Sequence, residues 1–192
     1  MSLVMTSGPA LEPVALADAK ALMRVDTTDE DALIQSLIIT SRLHIEAALG
    51  LALITQSWSA FLDRWPRSGR ITLPLRPVVA IGSVRIWDAA GGAATLDASD
   101  YLLDGQGMPP RLVMLDSRNA VAPGRTVNGI EIAFTAGFGA AATDVPAPIR
   151  HALLLLVAHW YEHREPVEIG AAVNAIPAMV SELLHPYRRR RL

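Results

Sequence analysis

His159, Glu162 and His163, within VAHWYEHREP at 157–166, spell H-x-x-E-H. At that spacing one helical turn of an inverted zinc-protease motif would hold a metal with two imidazoles and keep a carboxylate as general base. Residues four apart share a helix face, so the geometry allows it. A catalytic zinc also needs a third protein ligand, a second shell and a cleft. The carboxylates downstream, Glu165 and Glu168, lie beside the helix-terminating Pro166. The competing reading is a polar helix end, with Trp160 packed inward and His159, Glu162, His163 and Arg164 complementing the helix dipole. No residue is therefore assigned a catalytic or metal role, no cofactor is expected, and a zinc hydrolase built on His159 and His163 is the minor alternative.

A second candidate, FTAGFGAAA at 134–142, places Gly137 and Gly139 after a strand and ahead of a helix. A dinucleotide loop would open its helix at once and begin a βαβ unit. Here a proline-led helix starts at least six residues later and the strand closes a β-rich segment, so tight backbone geometry explains the glycines better. Neither a G-x-S-x-G elbow nor a P-loop is present. The chain is expected not to be an enzyme.

The remaining composition narrows the class. The 192 residues are 51% hydrophobic and 19% charged, as in an ordinary folded protein with one real core. Cysteine is absent, which excludes disulfides, thiolate zinc sites and thiol nucleophiles and fits a reducing compartment. MSLVMTSGPALEP lacks the basic and apolar regions of a targeting signal, and ALLLLVA at 152–158 is too short to cross a bilayer. No membrane role is expected. The net charge is −2, but four of the 17 basic residues are Arg188 to Arg191, so a +4 tail follows a body of −6. Such a tail can be a solvated end or can dock on carboxylate or phosphate. A basic tail on an acidic body does not give the basic face of a duplex-binding domain, so docking on a partner is preferred.

The elements that must position these groups follow from periodicity. A helix is predicted from Leu16 to about Val25, with Leu16, Ala19, Leu22 and Met23 on one face. A second runs from about 29 to 49, after a capping-box pattern at Thr27/Glu30 or Thr28/Asp31. Its stripe is Ile34, Ile38, Ile45 and Leu49, widened by Leu33 and Leu37, and Gly50 ends it. From Thr55 to Thr135 apolar residues alternate: Trp58, Ala60, Leu62; Ile71, Leu73, Leu75; Ile130, Ile132, Phe134. In VVAIGSVRIWD the alternation slips at Gly82, which predicts a β-bulge. A third helix opens at Val145 and Pro146 and buries Ile149, Ala152, Leu153, Leu156, Val157 and Trp160. With Leu154 and Leu155 it is apolar nearly all round, as in the middle of a bundle or against a neighbouring subunit. A short helix from Pro177 buries Val180, Leu183 and Leu184 and stops before Pro186. The fold class is α+β, a helical core with a β-rich insertion between the second and third helices. The predicted divisions are 1–54 and 141–186 for the core, 55–140 for the insertion and 187–192 for the basic tail.

The ordered set ALADAKALMRVDTTDEDALIQSLIITSRLHIEAALG, QSWSAFLDRWP, LPLRPVVAIGSVRIWDAAG, YLLDG, IEIAFTAGFG, VPAPIRHALLLLVAHWYEHRE and LLHPYRRRR resembles the head–tail connector, or adaptor, proteins of long-tailed bacteriophages, and more closely their counterparts in alphaproteobacterial gene transfer agents. Its most specific parts are K-x-x-x-R-V-D-x-x-x-x-D at Lys20 to Asp31, the TAGFG to VP junction, the YEHRE helix end and the LLHPYR terminus. The resemblance implies a structural ring, commonly a dodecamer, beneath the portal, in a particle neck assembled in the bacterial cytoplasm. Its implied partners are the portal protein, stopper or tail proteins, further copies of itself, and DNA passing through the lumen without sequence-specific binding. It also implies portal docking by Tyr187, Arg188, Arg189, Arg190, Arg191 and Leu192. A stopper or tail terminator is the alternative within the same particle. A ring subunit must bury apolar surface against two neighbours; Leu154, Leu155, His159 and His163 are the candidates for that contact.

Overall fold

The computed structural model describes residues 1–116, 120–163 and 176–188. These described residues form eight strands, β1 Ser2–Ser7, β2 Gln56–Leu62, β3 Arg70–Thr72, β4 Val78–Trp87, β5 Ala93–Thr95, β6 Tyr101–Asp104, β7 Arg111–Met114 and β8 Ile130–Ala136, and four α-helices, α1 Leu16–Met23, α2 Asp31–Leu49, α3 Ala147–Glu162 and α4 Ala178–Leu184, so the class is α+β. Two compact units result, one of residues 1–10 and 50–138 and the other of residues 11–49 and 139–192.

In the β unit five strands lie in the order β1-β2-β8-β4-β5 and three in the order β3-β7-β6, and all of these pairs are antiparallel. Both sheets contribute to one core: Ala60, Val84, Ile130, Ile132 and Phe134 from the larger, Ile71, Leu112 and Met114 from the smaller. The register of β4 on β8 shifts between Ile81 and Ser83, so the predicted bulge at Gly82 is present. Trp58 and Leu62, predicted to share a buried face with Ala60, are half-buried, whereas Gln56 and Ser59 are buried. Strand β1 was not expected. Only Leu3 among its six residues is even half-buried, so as an edge strand it carries no alternation for a sequence reading to detect.

The helical unit is organised around α3, which packs against α1, α2 and α4. That position accounts for its nearly all-round apolarity. Ile149, Ala152, Leu153, Leu156 and Val157 are buried as predicted, and Leu154 and Leu155 are half-buried. Pro146 caps the start, where a missing N–H costs nothing. The stripe of α2 is also as predicted, with Ile34, Ile38, Ile45 and Leu49 buried. Other predicted face positions are not buried: Leu22 and Leu33 are exposed, and Leu16, Met23, Leu37 and Leu183 are half-buried, because neighbouring helices cover a narrower face than the apolar residues span. The outward side of α2 is correspondingly uncharged, with Leu33, Ile39 and Leu43 exposed. By length and hydropathy α2 also meets the criterion for a membrane span, yet its buried stripe is that of a core helix.

Candidate functional site

Three polar arrangements hold the helical unit together. The first lies in the Lys20 to Asp31 element. Arg24 adopts the left-handed conformation (φ 55°) that ends α1, and the Val25 N–H returns to the Lys20 carbonyl at 3.0 Å. The Lys20 ammonium then reaches forward to Asp31 Oδ1 at 2.5 Å and to the Thr27 carbonyl at 2.7 Å. Lys20 thus fastens the end of α1 to the start of α2, where Asp31 also suits the helix dipole. Of the residues in the predicted capping pattern, Asp31 pairs with Lys20 and Glu30 accepts a hydrogen bond from the Tyr161 hydroxyl.

The second arrangement is buried. Arg42 donates through Nε and Nη2 to Glu12 at 2.8 and 3.2 Å, and through Nη1 to Glu46 at 2.8 Å. Burial alone would lower the pKa of Arg42, but the hydrogen bond to Glu12, the charges of both glutamates and the hydrogen bond to Glu46 outweigh it and raise the pKa. One guanidinium therefore fixes the segment ahead of α1 to the middle of α2. Sequence periodicity missed this group; its signal was Arg42 and Glu46, four apart on the face of Ile38 and Ile45.

The third arrangement is the end of α3. His163 sits one residue past the helix, with its N–H on the His159 carbonyl at 3.1 Å and its Nδ1 2.8 Å from the same oxygen. The two imidazoles lie 4.5 Å apart between centroids, tilted by 39°. His163 and Glu162 are exposed and His159 is half-buried. Among the described residues no three His, Asp or Glu side chains gather as metal ligands. Trp160 is half-buried, not buried as predicted, because its ring meets His44 of α2 edge-on at 5.7 Å at the border of the core. Glu165, Glu168 and Arg164 lie outside the described residues.

The glycines of AGFG serve backbone approach. Gly137 has φ +144°, and a Cβ there would stand 2.6 Å from Thr55 N and Cα. At Gly139 a Cβ would meet the carboxylate of Asp144, which accepts from the Ala141 N–H at 2.8 Å. Of the expected tail contacts, Tyr187 is half-buried at the end of a 3-10 turn, His185–Tyr187, and Arg188 is exposed. Arg189, Arg190, Arg191 and Leu192 lie outside the described residues.

The model of the phage gp6-like head-tail connector proteins matches residues 13–94, which include the Lys20 to Asp31 element and Arg42 with Glu46. A chain from the neck of an empty gene transfer agent (GTA) particle, computed with C6 symmetry, is 30% identical, with a TM-score of 0.82 over 100% of this chain and 97% of that one. The chain belongs to the phage gp6-like head-tail connector family. Two other solved chains agree over the same shares: one from the virion of a native GTA particle, at 29% identity and TM-score 0.83, and one from the neck of a native GTA particle computed with C12 symmetry, at 30% and 0.78. Comparison with curated proteins found no match. For a connector, the residues with functional weight are those that hold its shape and those it shows to neighbours. The division of charge is then informative. The helical unit has 12 of the 19 acidic residues and 9 of the 17 basic ones, four of these in the tail; the β unit has 7 acidic and 8 basic.

Proposed function

We propose that the chain is a structural head–tail adaptor that forms a ring at the neck of a phage-like particle, joins the portal vertex to the tail and leaves DNA a path through its lumen. The observation that carries this reading is the agreement with GTA neck chains along essentially the full length of both proteins. In this reading twelve copies assemble in the bacterial cytoplasm on the portal, and stopper or tail proteins bind afterwards. The acidic excess of the helical unit supports a ring that does not grip passing phosphate.

The segment 187–192 is proposed to dock on the portal, because the guanidinium forks of Arg188 to Arg191 suit acidic surfaces. Purified protein mixed with portal should give ring-shaped complexes under electron microscopy. The chain lacking residues 187–192 should keep its far-UV circular dichroism and lose about tenfold or more in portal affinity. Undiminished binding by the truncated chain would remove the tail from the interface.

Leu154, Leu155, His159 and His163 remain the proposed subunit contacts of α3. All but His163 are half-buried, with surface left to cover. Replacing His159 and His163 together by Gln is expected to leave the thermal transition in place and to weaken ring formation on the portal. Normal rings from that variant would assign the pair to solvent.

A further inference from the structure

We infer that neighbouring copies join head to tail through charge, with the arginine loop at 63–70 of one copy docked on the acidic α1–α2 segment of the next. This inference rests on the ring proposed above and names its contact. The loop, DRWPRSGR, is held by bonds that include three to backbone carbonyls. The Trp65 indole donates to the Val121 carbonyl at 2.8 Å, Gly69 closes a turn onto the Pro66 carbonyl at 2.9 Å, and the Met114 N–H reaches the Gly69 carbonyl at 2.8 Å. Arg64, Arg67 and Arg70 are all exposed and make no ion pair among the described residues. Five of the seven carboxylates of their own unit accept hydrogen bonds from other groups. Asp63 accepts from Asn128, Asp88 from Ala90 and Gly92, Asp97 from Ser99, Asp104 from Arg111 and Gly107, and Glu131 from Ser59. Three arginines thus stand exposed on one held loop, and none of them forms an ion pair among the described residues.

The complement is in the helical unit of the same sequence. Asp18, Asp26 and Asp29 are exposed and enter no ion pair among the described residues, and Lys20 beside them is already spent on Asp31. Arg24 is the other base of that segment, so acid remains in excess there. Asp26 also borders an open groove of about 430 Å³ whose other walls are Leu16, Ala17, Lys20, Ala21 and Val25. An apolar floor with one unpaired carboxylate, Asp26, at its edge suits an arginine, which lays its methylenes on the floor and its guanidinium on that carboxylate, Lys20 being held by Asp31. A closed ring of identical subunits needs two different patches on one chain that fit each other. Three free arginines and three free aspartates are such a pair. Duplex DNA would also take the arginines, but it would leave the aspartates without a counterpart.

The test is a charge exchange on the portal. Arg64→Glu with Arg67→Glu should reduce ring formation about a hundredfold, and Asp26→Arg with Asp29→Arg should do the same, since like charges then face each other. All four changes in one chain should restore rings. Normal rings from the arginine variant overturn the proposal, as does a four-fold variant that stays monomeric while keeping the wild-type circular dichroism. In the latter case, loss of retention on a short DNA duplex by the arginine variant would place the loop against DNA. If the wild-type chain forms no ring with portal, the adaptor reading falls. The contact is then read without portal: each double variant alone should sediment as a monomer, a mixture of the two, in which every contact again pairs unlike charges, should sediment as oligomers that alternate them, and monomers alone in the mixture overturn the proposal.

Discussion

Arg42→Ala is expected to destabilise the fold by about 3–5 kcal/mol, because it strands two carboxylates in a site built around one guanidinium. The Arg42 side chain is 7% exposed, with Glu46 at 10% and Glu12 at 19%. For a chain of this length the change corresponds to a fall in Tm of roughly 10–15 °C. The cost belongs to the stranded charges and not to a large intrinsic worth of the pairs. Replacing all three groups, Glu12→Gln, Arg42→Met and Glu46→Gln, should therefore lose far less than Arg42→Ala alone. Glu12→Gln or Glu46→Gln singly leaves Arg42 one charged partner and should cost about 1–2 kcal/mol. Differential scanning calorimetry on the four variants checks the order. A fall of less than about 2 °C for Arg42→Ala would mean that the carboxylates find other partners.

The same group illustrates what periodicity reveals and what it hides. The stripe Ile34, Ile38, Ile45 and Leu49 was legible because a helix must bury one face, and those residues are buried. Arg42 and Glu46 interrupt that face, and a count of apolar positions passes over them; their role depends on Glu12, thirty residues away from Arg42, which no local pattern announces. The long strands β2, β4 and β8 could be read, and so could the bulge at Gly82. Strands β5, β6 and β7 have three or four residues, too few for alternation to show, and β1 lies at a sheet edge with almost no buried side. Leu22 and Leu33 were misassigned because an apolar residue on a helix reports which face is greasy, not which neighbour covers it. The candidate zinc motif was legible as a helix end: Trp160 and Tyr161 turn toward α2 and Glu30, and His163 closes the last turn on the His159 carbonyl.

The division of charge required the fold. Along the sequence the body is merely acidic ahead of a basic tail; only the grouping of 11–49 with 139–192 shows that the acid belongs to the helices, while the strands have one base more than acid. The K-x-x-x-R-V-D-x-x-x-x-D element likewise gains a physical reason. Lys20 and Asp31 are eleven residues apart and meet at 2.5 Å because Arg24 turns the chain back between them. That bond orients α1 against α2 and leaves Asp26 and Asp29 on the exposed bend. A connector that meets several neighbours needs such a fixed bend, since mobile side chains would pay ordering entropy at every contact.

Gly137→Ala is expected to be the most damaging of the glycine substitutions, at about 4 kcal/mol. Two costs combine there. The backbone holds φ +144°, a region that costs an L residue roughly 1–3 kcal/mol. The new Cβ would also stand 2.6 Å from Thr55 N and Cα and 2.7 Å from the Ile54 carbonyl carbon, all of them backbone atoms that no rotamer change can move. Forcing atoms into such a site costs about 1–3 kcal/mol more. Relief by backbone shift is opposed from both sides, since the Gly137 N–H is bonded to the Pro77 carbonyl at 2.9 Å and the Phe138 N–H to Leu53 at 3.1 Å. Two neighbours calibrate the effect. At Gly139 the obstacle is the Asp144 carboxylate, a side chain that can swing away at the loss of its bond to the Ala141 N–H, so Gly139→Ala should cost about 1 kcal/mol. At Gly8 the nearest atom is Met5 Sδ at 3.9 Å, an ordinary contact, and Gly8→Ala should be close to neutral. Urea unfolding of the three variants should therefore rank Gly137→Ala well below Gly139→Ala, with Gly8→Ala near wild type. Equal midpoints for Gly137→Ala and Gly8→Ala would show that the junction of the Leu53–Thr55 segment with the end of β8 is not the close backbone contact described.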